Sequence, residues 1–246
     1  QVDKWFGGVH AVNHVDFEVR AGEIHALIGE NGAGKSTLMR ILSGAILPDG
    51  GEIVFDGRKL HMRGPKDAEA AGIAMIHQEL SLCPNMSVAE NIFLGSEPLG
   101  PMRTLSWRRL RADAESYLRH LDTPIDVTRA VEEYGIATQQ MVEVAKVLSR
   151  NAKLIVMDEP TSALTDTEAR RLFEIIRALK AEGVAIVYIS HKMEEIYELA
   201  DRVTVMRDSR WIGTAEASDL EPGQLIEWMV GRKIETLFPA RSVELG

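Results

Sequence analysis

Cysteine is almost absent: Cys83 is the only one in 246 residues, so no disulfide can form within the chain. That usage fits a reducing compartment such as the cytoplasm. Long apolar runs are missing too. A spanning helix needs roughly 18 or more apolar residues in a row, and Val184–Ile189, among the longest stretches here, is only strand-sized. No signal peptide is visible at the start. Positive charge is in deficit, with 28 Lys and Arg against 37 Asp and Glu and a net charge of −9. A basic surface for nucleic acid is thereby excluded. A small anionic ligand held by local amides and lysines is not.

What is present is an ordinary globular composition, 45% hydrophobic and 26% charged, at a length that supports a real core. Gln1 stands at the start rather than Met, and Phe238–Gly246 carries Pro239 with no periodic pattern. The expectation is one domain over residues 1–237 and a linker-like tail over 238–246, taken from a longer polypeptide.

Val15, Phe17 and Val19 alternate with Asp16, Glu18 and Arg20, which predicts a half-buried strand. Ile24–Ile28 reads as a buried strand, Ser36–Leu42 as a helix stopped by Gly44, and Ile53–Phe55 with Asp56-Gly57 as a strand and turn. From about 87 to 149 the period is helical. Leu110, Ala114, Tyr117, Leu118 and Leu121 share one face, and Met141, Val142, Ala145 and Leu148 share another. Strand and helix then alternate again. Leu154–Met157 is a short apolar strand. Thr165 to Glu168 is a capping box opening a helix with Leu172, Phe173, Ile176 and Leu179 inward and Gly183 behind it. Val184–Ile189 is a buried strand and Met193–Ala200 a short helix. Val203–Met206 and Trp211–Gly213 form a hairpin around Asp208-Ser209. The fold class is α/β with a mostly parallel sheet and an inserted helical subdomain.

Gly29-Glu30-Asn31-Gly32-Ala33-Gly34-Lys35-Ser36 matches G-x-x-x-x-G-K-[ST], follows a strand and opens a helix. The glycines let main-chain amides curl inward around phosphate oxygens, and the helix N-terminus adds partial positive charge. Lys35 supplies a full charge to the β- and γ-phosphates. Ser36 offers a hydroxyl to Mg²⁺, and Thr37 reaches the α-phosphate. The bland reading, a glycine-rich turn with a surface lysine, does not account for both flanks. Leu154-Ile155-Val156-Met157 ends in Asp158-Glu159, which puts two acids at the edge of the sheet where parallel α/β folds bind ligands. Asp158 suits Mg²⁺ and Glu159 suits a general base toward water.

With these two motifs and a helical stretch between them, the chain resembles the ABC ATPase family over nearly its whole length. That resemblance implies a P-loop NTPase core with an antiparallel β subdomain. It also gives roles to residues that alone read blandly. Gln78 in Ile76-His77-Gln78-Glu79, otherwise a surface glutamine, is similar to the glutamine that touches Mg²⁺ and the attacking water. His191 in Tyr188-Ile189-Ser190-His191, otherwise a strand-end histidine, resembles the switch histidine of the γ-phosphate. Phe6-Gly7 resembles the aromatic pair that stacks on adenine, against the plain alternative of a core phenylalanine. Ser162-Ala163-Leu164 resembles the D-loop, with Thr165 where an aspartate is usual. The signature departs further: Tyr134-Gly135-Ile136-Ala137-Thr138 stands where Leu-Ser-Gly-Gly-Gln is expected, so the serine is lost and the second glycine is Ala137. In this family each signature closes over the partner's nucleotide.

This pattern is similar to the first cassette of bacterial monosaccharide importers, in which two cassettes are fused. The resemblance implies ATP and Mg²⁺ as ligands and ATP hydrolysis as the reaction. It implies a second cassette and membrane permease subunits as partners, a sugar-binding protein indirectly, no nucleic acid, and a peripheral place on the cytoplasmic face of the inner membrane. Two other readings stay open: an ATP-binding assembly module with little hydrolysis, and a non-transport ABC ATPase. His10, His14, His25, His61 and His120 show no metal-ligand spacing, so no zinc site is expected. Trp107-Arg108-Arg109-Leu110-Arg111 reads as a solvated helix face.

Overall fold

The computed structural model describes residues 1–100 and 104–231. An antiparallel pair opens it, β1 (Val2–Phe6) with β2 (Val9–Val15), turned at Gly7-Gly8, both at positive φ. β3 (Ile24–Ile28) feeds α1 (Lys35–Leu42). β4 (Ile53–Phe55) and β5 (Arg58–Leu60) form a hairpin around Asp56-Gly57, and α2 (Pro65–Ala71) leads into β6 (Ile73–Ile76). Then come α3 (Val88–Phe93), α4 (Trp107–His120) and α5 (Ile136–Leu148). The chain continues through β7 (Leu154–Asp158), α6 (Asp166–Ala181), β8 (Ala185–Ile189) and α7 (Met193–Leu199). It ends in β9 (Arg202–Arg207), β10 (Arg210–Glu216) and α8 (Pro222–Val230).

The main sheet has the order β10-β9-β3-β8-β7-β6. Every pair is parallel except β10 with β9. A parallel sheet is covered on both faces, and its strands are therefore apolar on both. In β7, Ile155 and Met157 face a cluster with Leu172, Phe173 and Ile176 of α6 and Val142 and Ala145 of α5. Leu154 and Val156 face the other way, against Leu38, Met39 and Ile41 of α1 and Val12 and Val15 of β2. Because the strands point the same way, the C-terminal ends of β3, β8, β7 and β6 lie side by side along one edge.

The helical faces expected around Leu110 and Met141 are the buried faces of α4 and α5; Tyr117 and Leu148 sit at their partly buried margins. The Thr165–Glu168 capping box is formed, Thr165 Oγ1 accepting from the Glu168 amide. The hairpin of β9 and β10 turns at Asp208 and Ser209, both at positive φ.

One expected strand ends early. The ladder stops at Val15, preceded by His14 at φ 51, and residues 16–20 belong to no strand. Phe17 and Val19 still pack partly buried against the α1 side of the sheet. Alternating burial needs only an extended chain lying on a core, whereas a strand also needs a hydrogen-bonding neighbour. The expected tail over 238–246 lies outside the described residues.

Candidate functional site

The loop between β3 and α1 owes its shape to glycines that nothing else can replace. Gly29 has φ 154, and a Cβ there would lie 2.1 Å from the Met206 carbonyl oxygen of β9. Gly34 has φ 98, and its Cβ would lie 2.5 Å from the Ala11 carbonyl oxygen of β2. Both are backbone oxygens on paired strands, so neither can swing away. Gly32, at φ 85, meets nothing within 4 Å. Neighbouring backbone therefore demands glycine at 29 and 34, and the positive φ alone favours it at 32. Ala33 is buried beneath the loop and its amide donates to the Glu30 carbonyl at 3.1 Å. Glu30, Asn31 and Ser36 are exposed, and Thr37 is half-buried in the first turn of α1.

Lys35 folds back into this loop. Its Nζ donates to the Gly29 carbonyl at 2.7 Å and the Glu30 carbonyl at 3.1 Å. Burial depresses its pKa, against the opposing pull of Glu159 and Asp158. A desolvated ammonium held only by main-chain oxygens is short of negative charge. No side chain caps α1 at Gly34, and its first turn carries no acid. The loop thus presents amides and an ammonium to whatever anion enters.

At the next strand ends but one, the charge is of the other sign. Asp158 closes β7, where burial and the neighbouring Glu159 charge push its pKa up, with His77, Lys35 and Arg40 pulling it down. Glu159 takes φ 47, uncommon for a residue with a side chain. Its amide donates to the Ile189 carbonyl at 3.0 Å, which pins the β7 end to the β8 end. Its Oε1 lies 3.2 Å from His191 Nδ1. A carboxylate accepts, so Nδ1 carries the proton and Nε2 faces outward on an exposed ring.

Gln78 lies two residues past β6, whose Ile76 pairs with Met157, so it leaves the sheet beside Asp158-Glu159 with an exposed side chain. Phe6 ends β1 and is 47% exposed, with Lys4 Nζ 5.5 Å from its ring centre. It is no core phenylalanine. The Ala11 contact at Gly34 and the Asn13 amide bond to the Ser209 carbonyl, 2.8 Å, hold this hairpin alongside the loop.

Two of the weighed motifs serve as helix starts. Gly135 is the N-cap of α5, with Tyr134 Oη donating to the Asp126 carbonyl at 2.8 Å and Ile136 exposed. Thr165 serves α6 as its N-cap, which gives the threonine in place of aspartate a local reason.

Sequence reasoning missed two groupings. Asp3, His10 and His14 bring ligand atoms within 4.8 Å of one another, although their spacing shows no ligand pattern. Irregular register between β1 and β2 and the positive φ of His14 turn both rings onto Asp3 Oδ1, at 2.8 and 3.1 Å. The expectation of no zinc site rested on spacing alone, and spacing does not show that two of those histidines share one carboxylate. The second is Glu195, only 7% exposed, which gathers four donors from three segments. Its signal was an acid on the apolar face of α7, next to Ile196 and one turn from Leu199.

The family model described as "ABC transporter" matches residues 12–162. The ribose import ATP-binding protein of Geobacillus kaustophilus is 48% identical over 246 residues, covering all of this chain and 50% of that protein. A ribose import ATP-binding protein of Rhizobium meliloti is 50% identical over 241 residues, 98% of this chain and 47% of its own length. The chain therefore spans about half the length of the curated relatives it matches. Among solved structures, an ATP-binding cassette of an ABC transporter in its ADP conformation superposes with a TM-score of 0.79 at 25% identity. It covers 94% of this chain and 96% of its own. A nucleotide-free cassette gives a TM-score of 0.80 at 24% identity, a likeness of fold.

Proposed function

The chain belongs to the ABC transporter family, and on that premise we propose that it is an ATP-binding and ATP-hydrolysing cassette powering import of a monosaccharide through a separate permease. One observation carries the reading: an ammonium-and-amide loop and a carboxylate–imidazole pair leave adjacent parallel strands along a single sheet edge. The described residues up to 231 belong to one cassette in this reading, with the helices between about 87 and 149 as its insertion.

The residues fit Mg-ATP. Among the described residues the Lys35 ammonium has no charged partner at bonding distance, and burial beside Glu159 makes the Asp158 charge one that the fold resists. The donors offered beside them are all oxygen: the Ser36 hydroxyl, the Asp158 carboxylate and the Gln78 amide. Such a hard set suits Mg²⁺. Held by Ser36, Asp158 and Gln78 together with the nucleotide, Mg²⁺ would neutralise charge developing on the phosphates. Lys35 leaves the Gly29 and Glu30 carbonyls for phosphate oxygens, the amides of residues 29–36 surround them, and Phe6 offers its exposed face to the adenine. Glu159 takes a proton from the attacking water. His191 holds that carboxylate through Nδ1–H, and Nε2, once it also carries a proton, would donate to a γ-phosphate oxygen. In-line positioning by these fixed groups is the main catalytic contribution.

The signature favours asymmetry. Gly135 and Ala137 weaken what this chain offers a partner's nucleotide, while its own phosphate loop is complete. Alone, the chain binds Mg-ATP and turns it over slowly. Its partners are a second cassette fused in the same polypeptide, permease subunits, and, indirectly, a sugar-binding protein. It sits peripherally at the cytoplasmic face of the inner membrane. Among the described residues no helix is long and apolar enough to cross a membrane. The test is Glu159→Gln: turnover falls by about 10²-fold or more while ATP stays bound. Turnover equal to the parent's would remove Glu159 from the base role.

A further inference from the structure

Glu195 lies in the first turn of α7, where the helix end favours an anion, but its side chain points inward. Oε1 accepts from Thr161 Oγ1 at 2.6 Å and lies 3.0 Å from Lys192 Nζ. Oε2 accepts from Tyr188 Oη and Ser190 Oγ, both at 2.8 Å. Thr161, Ser190 and Tyr188 are all buried. Burial alone would raise the carboxyl's pKa, but the bonds from Thr161, Tyr188, Ser190 and Lys192 prevail and hold it below its usual value. Burial and the Glu195 charge push the Tyr188 phenol up, so it remains a donor.

These donors are not scattered. Thr161 stands two residues after Glu159 and just before Ser162-Ala163-Leu164. Ser190 immediately precedes His191, and its Oγ also accepts from the Lys192 amide at 3.1 Å. One buried carboxylate therefore ties the segment after Glu159 to the segment before His191. Those two side chains meet at 3.2 Å. We infer that Glu195 is the positioning residue of the Glu159–His191 pair, making the 159–164 loop and the 190–192 loop move as one body. A displacement of Ser162-Ala163-Leu164 by a facing cassette then reaches His191 through Thr161, Glu195 and Ser190 rather than through the Glu159 contact alone. The inference rests on the ATPase reading for its catalytic meaning, and on geometry for the coupling itself.

Glu195→Gln keeps the volume but removes the charge and turns an amide NH₂ toward hydroxyls that now donate and must rotate to accept, or toward the Lys192 ammonium, which cannot. The expected result is a fall of 10-fold or more in kcat for ATP, with nucleotide Kd within about twofold, because the phosphate loop is untouched. The His191 ring resonance in a ¹⁵N spectrum, assigned by its loss in His191→Gln, shifts in Glu195→Gln. Should Glu195→Gln fail to fold, Thr161→Val and Ser190→Ala each remove one bond to Glu195, the serine also losing the bond from the Lys192 amide. Their effects on kcat are then non-additive when combined, because both act through the same carboxylate. An unmoved His191 signal, a kcat within twofold of the parent's, or strict additivity overturns the inference. A parent with no ATP turnover would sink the ATPase reading instead, and the His191 signal would still decide the coupling.

Discussion

Gly29→Ala should cost this protein far more than Gly32→Ala, although both sit at positive φ in the same eight-residue loop. At Gly32 the added methyl meets nothing within 4 Å, so only the left-handed backbone counts, roughly 1–2 kcal/mol. At Gly29 the backbone region is as unfavourable, about 1–3 kcal/mol. The methyl would also stand 2.1 Å from the Met206 carbonyl oxygen, inside any real contact distance. Met206 belongs to β9, which pairs with β3 on one side and β10 on the other, so the clash must move sheet backbone. Overpacking of that kind adds about 1–3 kcal/mol. The sum for Gly29→Ala is about 2–6 kcal/mol. At about 2–4 °C per kcal/mol for a domain this size, its melting temperature drops by roughly 4–24 °C, against about 2–8 °C for Gly32→Ala. Thermal melts followed by circular dichroism, without nucleotide, read the difference. If Gly29→Ala melted as high as Gly32→Ala, the claim that β9 dictates glycine at 29 would be refuted.

Other outcomes follow from the charges. Asp158 is held above its ordinary pKa by burial and by Glu159, so its ionised form opposes folding at neutral pH and ceases to do so as pH falls through the folded pKa. Nucleotide-free Asp158→Asn should melt higher than the parent at pH 7, with the gain vanishing toward pH 3, while Mg²⁺-dependent ATP binding weakens. Glu23 behaves oppositely. Burial would raise it, but bonds from His25 and the Arg20 amide and the charges of His25 and Arg202 hold it below 4.5. Its contribution is complete above that value and lost as pH falls through the folded pKa. Glu23→Gln should thus cost about 1–3 kcal/mol at pH 7 in urea melts and much less at pH 3; an equal cost at both would contradict the assignment.

Short-range signals made most of the site legible. The phosphate loop and the acid pair each lie within eight residues and take their geometry from the strand that precedes them. The capping box at Thr165 and the faces of α4 and α5 are likewise local patterns. α2, β6 and α8 went unread, although Pro65 and Pro222 at the helix starts and Gly72 and Gly231 at positive φ behind them are the expected punctuation. Phe17 and Val19 misled because alternation reports burial and not pairing. Glu195's burial shows in its place on the apolar face of α7, but its partners could not be read, since Thr161 lies 34 residues away and only the adjacency of β7 and β8 brings the two together. The Asp3 cluster was hidden for the same reason, on a hairpin with irregular register.

The phosphate grip is the claim beneath all others, and calorimetric titration of Mg-ATP into the parent and into Lys35→Ala tests it most directly. The account predicts a saturable heat for the parent and a Kd weakened at least 100-fold, or no measurable heat, once the ammonium is gone. Equal heats and equal Kd in the two proteins would contradict it.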